Sequence, residues 1–422
     1  MDKFVINGPC KVSGTIKISG SKNGSLAILA ASLLFDEPVE LRNVPHVRDT
    51  TVFYALLRSL NKKIIISKDK KKIKIYNSKK KISTFCNYII VKQLRASILA
   101  LGGLISKHGK AVISAPGGCA IGTRPINYHL NALKKLGMKF KLKGGYIHAT
   151  AKNGLKENNK INLNLSMGAS ENLIIASTLC KGTVILHQCA IEPEVKDLVV
   201  FLNSAGANIK WIGKRTLRII GVKKLNRTSY TVNGDRIELS TWAVLATMTA
   251  GKLKIDGFNN IKLLKTELDL LRKIGASIKY KKNQIIIQGK KKLKNINIST
   301  KEYPGFPTDL ACIFGVLLCK ANGRSTIKEN IFENRFNWIA EVRRLGGKIQ
   351  IKGNKAIIEG NTKFQGAEEL MSSDLRGSVA LCLAAISSSG RSVVNRIYML
   401  DRGMENFEKK ARSIGVDIQR IS

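Results

Sequence analysis

One pattern of apolar and polar positions recurs six times along the chain. An amphipathic stretch closes on a small residue and runs directly into a short alternating segment. The closing residues are Asn61, Gly137, Gly206, Gly275, Gly346 and Gly415, spaced 76, 69, 69, 71 and 69 positions apart. Gly and Asn suit the left-handed conformation that ends a helix, so each marks a helix stop before a strand. A period this regular, filling nearly all of 422 residues, is the mark of a duplicated architecture.

Each unit holds a second stretch that is almost wholly apolar, such as Ala27-Ile28-Leu29-Ala30-Ala31-Ser32-Leu33-Leu34. A helix apolar on all sides lies inside a core. The six begin near residues 21–24, 93–96, 166–169, 235–238, 307–310 and 372–376, where Ser, Thr and Asp offer N-caps. Alternating or β-branched runs at 110–114 and 283–287 predict strands between the helices. The fold class expected is α/β: two barrel-like domains, each of three repeated βα units, six in all, with the buried helices parallel at each centre. The change of domain falls near residues 229–234. Helix N-termini attract anions. The first turns carry Lys22, Arg95, Arg236 and Arg376 with Asp235, Asp309 and Asp374. With Arg124 these would rim a cleft for an anionic substrate.

Composition narrows the class. Hydrophobic residues make up 44%, which is globular. The start, Met1-Asp2-Lys3-Phe4, has no signal-type apolar core, and the longest apolar run, residues 25–35, is too short to span a bilayer. A soluble, cytoplasmic protein without a membrane partner is expected. Eight cysteines without a CxxC pair, and five histidines, predict no structural zinc, and Cys312, Cys319 and Cys382 read as reduced core residues. The net charge of +43 admits polyanion binding. Aromatic residues are only 6%, and the lysine runs around 68–74, 79–81 and 290–294 lack interleaved stacking platforms. Compositional drift is the preferred reading and no specific nucleic-acid partner is expected, although a diffuse positive field still steers small anions.

The densest chemistry lies in Pro116-Gly117-Gly118-Cys119-Ala120-Ile121-Gly122-Thr123-Arg124-Pro125. Glycines admit close backbone approach to a ligand, and nearby positive charge lowers a thiol pKa. On its own the segment reads equally as a glycine-rich turn or as a reactive loop.

These residues, together with Gly20-Ser21-Lys22-Asn23, Ser166-Met167-Gly168-Ala169, Glu192-Pro193-Glu194, Asp235-Arg236-Ile237-Glu238, Phe306-Pro307-Thr308-Asp309, Phe332-Glu333-Asn334-Arg335-Phe336, Asp374-Leu375-Arg376 and Asp401-Arg402-Gly403, resemble the UDP-N-acetylglucosamine 1-carboxyvinyltransferase family of enolpyruvyl transferases. The resemblance runs the length of the chain. It implies two inverted α/β domains, one spanning residues 22–233 and carrying the Cys119 loop, the other joining 1–21 to 234–422. It also implies transfer of enolpyruvate from phosphoenolpyruvate to the 3′-hydroxyl of UDP-N-acetylglucosamine, with phosphate released, at the opening of peptidoglycan synthesis.

The implied roles follow the same resemblance. Cys119 is the proton donor on a lid, can carry a covalent phosphoenolpyruvate adduct, and is the thiol that fosfomycin alkylates in the family. Asp309 orients or deprotonates the sugar hydroxyl. Lys22, Arg124 and Arg402 hold the phosphate and carboxylate of phosphoenolpyruvate, with Asn23 and Arg376 close by. Arg95, the segment Arg124, Pro125, Ile126, Asn127 and Tyr128, the segment Asn164, Leu165, Ser166 and Met167, and Asp309 with Ile331 line the nucleotide-sugar site, while Asp235, Arg335 and Asp374 complete the binding set. No cofactor or metal is implied, since phosphoenolpyruvate is a co-substrate. Asp often stands in the family where Asn127 lies, and Lys in some members where Asn164 lies, so altered nucleotide affinity with retained activity is expected. The rival of like chemistry, shikimate-3-phosphate enolpyruvyl transfer, does not use a cysteine in this loop, and a basic nucleic-acid-binding repeat protein is the non-enzyme rival.

Overall fold

The structure is a computed structural model that describes residues 2–117, 122, 126–281 and 284–422. The six-fold pattern becomes six four-stranded sheets of one design. In each, an edge strand runs parallel to its neighbour, and two further strands add antiparallel. Lys156–Asn162, for example, pairs in parallel with Lys181–His187, which then pairs antiparallel with Thr216–Ile220, and Asn208–Gly213 closes the sheet. A parallel pair needs a crossover, and the apolar helix Met167–Ser177 supplies it.

Two sheets obtain their parallel edge differently. Thr228–Thr231 pairs with Val39–Arg42, and Ser13–Lys17 pairs with Lys252–Asp256. Neither of these edge strands is joined to its neighbour by a single crossover helix. The chain divides into two compact units on this exchange. The described residues of Met1–Ser19 and Gly234–Ser422 form a terminal unit, and those of Gly20–Gly118 and Pro125–Asn233 a central one.

The expected α/β architecture of repeated βα units is present, and its sheets are open: none closes among the described residues. The outer strand of three sheets has a physical reason to stay unpaired. Lys139–Lys143, Ser277–Lys281 and Lys348–Lys352 carry exposed lysines, and charge on an edge opposes further pairing. Part of the lysine excess therefore protects sheet edges.

The six helix stops adopt positive φ as expected, from 67° at Asn61 through 91–94° at Gly137, Gly206, Gly346 and Gly415 to 129° at Gly275. Ser21, Ser166, Asp235 and Asp374 cap their helices through side-chain oxygens. Two starts differ from expectation. Residues 95–98 and 308–310 form short 3-10 turns, and the helices proper begin at Leu99 and Ala311. Asp309 is not a cap, because its carboxylate is engaged elsewhere.

Each unit has its own core, built around three apolar helices. In the central unit Leu99–His108 meets Met167–Ser177 through Gly102, where an added Cβ would stand 2.1 Å from Asn172 Oδ1. That oxygen accepts the Gly102 N–H at 2.9 Å, so the close approach is also a hydrogen bond. Cys312, Cys319 and Cys382 are buried and unpaired, as expected. Burial pushes the Cys312 and Cys319 thiols up to about 12, which keeps them inert.

Candidate active site

In the central unit the cap at Ser21, whose Oγ accepts the Gly24 N–H at 3.2 Å, starts the helix Lys22–Ala31 and sets Lys22 at its first turn. Lys22 Nζ lies 2.8 Å from Asp49 Oδ2 and donates to Asn23 Oδ1 at 3.2 Å. Glu171 is buried nearby. Burial, then the charges of Glu194 and Glu192, push its carboxyl well above the usual carboxylate range, with Lys22 opposing. Lys22 thus stands as a cation held by Asp49 in a pocket of carboxyl groups, one of which favours its neutral form.

A second group in this unit forms around His129, which is buried on the helix Asn127–Lys135. Its Nδ1 lies 3.0 Å from Asn172 Nδ2, and its ring sits 3.2 Å from where a Gly168 Cβ would be. Burial and then the charge of Arg95 push its pKa down to about 4. His129 therefore draws together Arg95, the helix bearing Asn127 and Tyr128, and the turn entering Ser166 and Met167. Tyr128 is exposed on that helix and Ile126 precedes it. Asn164 and Leu165 have φ of 49° and 59°, unusual for residues with a Cβ, and a branched residue such as Leu enters this region only when its surroundings hold it. Leu165 N–H donates to Gln188 O at 2.9 Å, and Ser166 N–H to Leu163 O at 3.0 Å, which fix the turn.

In the terminal unit the centre is Asp309. Its Oδ1 accepts from Arg335 Nη2 at 2.7 Å, and its Oδ2 accepts from Arg376 Nη2 at 2.8 Å and Nε at 3.1 Å. Both guanidinium groups are buried, at 4% and 5% exposure, whereas Asp309 is 28% exposed. Arg376 stands in the first turn of Leu375–Ile386, whose cap Asp374 accepts the Arg376 and Gly377 N–H groups at 2.9 and 3.0 Å. Gly403 lies against Leu375, which places Arg402, the last residue of the 3-10 segment Ile397–Arg402, beside that helix start. Glu329 organises the loop that follows it: Oε1 accepts the Ile331 and Phe332 N–H groups at 2.8 and 3.2 Å, and Oε2 accepts Thr308 Oγ1 at 2.7 Å. Asp235 caps Arg236–Met248, while Arg236 is buried and pairs with Glu267 at 3.2 Å.

Apart from Asp235, which caps its own helix, the described expected residues gather into three groups: Lys22 with Asn23; Arg95 with Ile126, Asn127, Tyr128, Asn164, Leu165, Ser166 and Met167; and Asp309 with Ile331, Arg335, Asp374, Arg376 and Arg402. Cys119, Arg124 and Pro125 lie outside the described residues. Sequence reasoning missed Asp49, Glu171, His129 and Glu329. Glu171 had a legible signal, the one charged residue in a helix of apolar and small polar residues. Asp49 had none, since an acid at a helix start also reads as an ordinary dipole partner.

Chemically, Lys22 offers a point charge suited to phosphate or carboxylate. The Arg335–Asp309–Arg376 triad offers a carboxylate whose geometry is fixed by two buried donors. Comparison with known proteins agrees in kind. The model of the EPSP synthase (3-phosphoshikimate 1-carboxyvinyltransferase) family matches residues 6–411. The UDP-N-acetylglucosamine 1-carboxyvinyltransferase of Pelagibacter ubique is 54% identical over the whole of both chains. That of Coxiella burnetii is 42% identical, covering all of this chain and 96% of the relative. The enolpyruvyl transferase NikO from Streptomyces tendae shares the fold, with a TM-score of 0.90 at 23% identity over 99% of this chain and 98% of the other. An EPSP synthase from Acinetobacter baumannii does so at 0.77 and 17% over the whole of both. From end to end, then, the chain belongs to the EPSP synthase family of enolpyruvyl transferases, among the relatives named UDP-N-acetylglucosamine 1-carboxyvinyltransferase.

Proposed function

We propose that this protein transfers enolpyruvate from phosphoenolpyruvate to the 3′-hydroxyl of UDP-N-acetylglucosamine and releases phosphate. The observation that carries the reading is the 54% identity, over the whole of both chains, to a relative bearing that activity's name. In the addition step the sugar oxygen bonds to C2 of the enol, its proton is removed, and a proton is delivered to the methylene carbon, giving a methyl group. In the elimination step the methyl group gives up a proton and the C–O bond to phosphate breaks. Acid and base act on opposite ends of the new bond, so two residues are needed. Cys119 is assigned as the donor, with an adduct to phosphoenolpyruvate as its covalent form, and Asp309 as the group that takes or orients the hydroxyl proton. Lys22, Arg124 and Arg402 take the anionic groups of phosphoenolpyruvate.

The grouping of Arg95, Asn127, Tyr128 and residues 164–167 around His129 supports their assignment to the nucleotide sugar. Asn at 127 and 164 shifts affinity for the nucleotide and leaves the reacting atoms untouched. The two compact units support a division into residues 22–233 and the remainder. No described helix is long and apolar enough to cross a membrane, and the reading places the enzyme in the cytoplasm with small-molecule partners only.

Phosphate release tests this directly. Phosphoenolpyruvate is offered with UDP-N-acetylglucosamine or shikimate 3-phosphate in parallel. Release with the nucleotide sugar alone is expected. Release with shikimate 3-phosphate alone would transfer the chain to the rival chemistry, and tight salt-sensitive binding of duplex DNA with no release would favour the polyanion reading.

A further inference from the structure

The chain leaves one unit for the other after Ser19 and again after Asn233. At both of these points a buried carboxylate grips the last residue before the passage. In the central unit Asp197, 3% exposed, accepts from Asn233 twice: the backbone N–H reaches Oδ2 at 3.3 Å and Nδ2 reaches Oδ1 at 2.6 Å. Tyr230 donates its hydroxyl to the same Oδ1. In the terminal unit Glu238, also 3% exposed, accepts the Ser19 N–H at 2.8 Å and the Trp242 Nε1–H at 3.1 Å, and pairs with Lys410.

Each gripped residue then presents its carbonyl to the cap of a buried helix. Asn233 O accepts the Ser21 N–H at 2.7 Å, and Ser19 O accepts the Asp235 N–H at 2.9 Å. Ser21 caps the Lys22 helix and Asp235 caps the Arg236 helix. The same three-part relay, carboxylate to crossing residue to helix cap, therefore occurs once in each unit. Burying an acid is unfavourable unless its hydrogen bonds are made. Burial is the largest influence on both groups and raises both, Asp197 to about 6.

We infer that Asp197 and Glu238 are positioning residues: through Asn233 and Ser19 they fix the caps of the helices that carry Lys22 and Arg236. A side chain in the first turn of a helix is placed only as well as the cap that starts it. The kinetic part of the test rests on the enolpyruvyl-transfer reading, and the exchange part does not.

The experiment compares full-length wild type with Asp197→Asn, Asn233→Ala and Tyr230→Phe. The two Asn233 donors sit on different oxygens of Asp197, so Asn at 197 turns an NH2 donor against one of them. Native-state amide exchange at Ser21 and Gly24 should speed at least tenfold in Asp197→Asn and several-fold in Asn233→Ala. Tyr230→Phe leaves the grip on Asn233 in place, and exchange at those amides should stay within about twofold of wild type. With substrate, Asp197→Asn should raise KM for phosphoenolpyruvate at least fivefold and leave that for UDP-N-acetylglucosamine within about twofold. Unchanged exchange at Ser21 and Gly24 in both grip variants overturns the inference, as does an equal rise in both KM values. If Asp197→Asn does not fold, Asn233→Ala and Glu238→Gln carry the test, the latter read at the Asp235 amide. A wild type without turnover sinks the functional reading and leaves the exchange result standing.

Discussion

Removing the Asp309 carboxylate should destabilise the terminal unit measurably, and the size can be worked from its surroundings. Arg335 and Arg376 are 4% and 5% exposed and both direct donors at this one acid. Breaking a buried pair typically costs about 3–5 kcal/mol, because a charge is left without its partner. Asp309 is itself 28% exposed, so water relieves part of the loss and the lower end applies, about 3 kcal/mol for Asp309→Ala. Asp309→Asn keeps one oxygen and should lose roughly half of that. A unit of this size shifts its midpoint by about 2–4 °C per kcal/mol, giving about 6–12 °C for the alanine variant. Trp242 and Trp338 are buried in this unit's core and Trp211 packs on the other, so tryptophan fluorescence during urea unfolding in a Trp211→Phe background reports its transition. A double-mutant cycle with Arg335→Met should return a coupling of at least about 1.5 kcal/mol. Screening reaches buried pairs poorly, so the coupling should survive 0.5 M salt, to order of magnitude. A coupling below about 0.5 kcal/mol, or one abolished by that salt, would refute the reasoning.

Three further outcomes are expected. Gly102→Ala would press a Cβ to 2.1 Å from Asn172 Oδ1, so urea unfolding should show a loss of about 3 kcal/mol, whereas Gly353→Ala, in open space at φ 57°, should lose only about 1 kcal/mol from strain. His129 is held near pKa 4, below its unfolded value of about 6.5, so the unfolded chain binds the extra proton first. Its contribution is complete above the unfolded value and is lost as pH falls toward 4. The stability difference between wild type and His129→Gln should therefore shrink by about 3 kcal/mol between pH 7 and pH 4, and a flat difference would contradict the burial argument. Cys119→Ser should depress turnover at least a hundredfold, to order of magnitude, and abolish fosfomycin labelling read by intact-protein mass; labelling that persists would move the reactive thiol elsewhere.

The repeat was legible because its signals are local. A helix stop needs one residue able to hold positive φ, and all six do so, from Asn61 to Gly415. Caps such as Ser166 and Asp374 were legible for the same reason, each bonding within three residues of itself. What the sequence concealed is long-range. Asp309 looks like a cap until Arg335 and Arg376, 26 and 67 positions away, arrive at its carboxylate. The pairing of Ser13–Lys17 with Lys252–Asp256 bridges more than half the chain, and no local pattern announces it. Asp49 was hidden in an ordinary helix start, although it is the acid that holds Lys22.

The most direct test of the central claim is the product formed in deuterated water, read by proton and carbon NMR. Addition followed by elimination turns the methylene carbon into a methyl group and back, with solvent-derived protons entering through the donor. The expected product is an enolpyruvyl ether on the 3′-oxygen of UDP-N-acetylglucosamine, with deuterium in its vinyl positions and one phosphate released for each ether formed. A vinyl product without deuterium under fully exchanged conditions, or an ether formed on shikimate 3-phosphate in place of the nucleotide sugar, would contradict it.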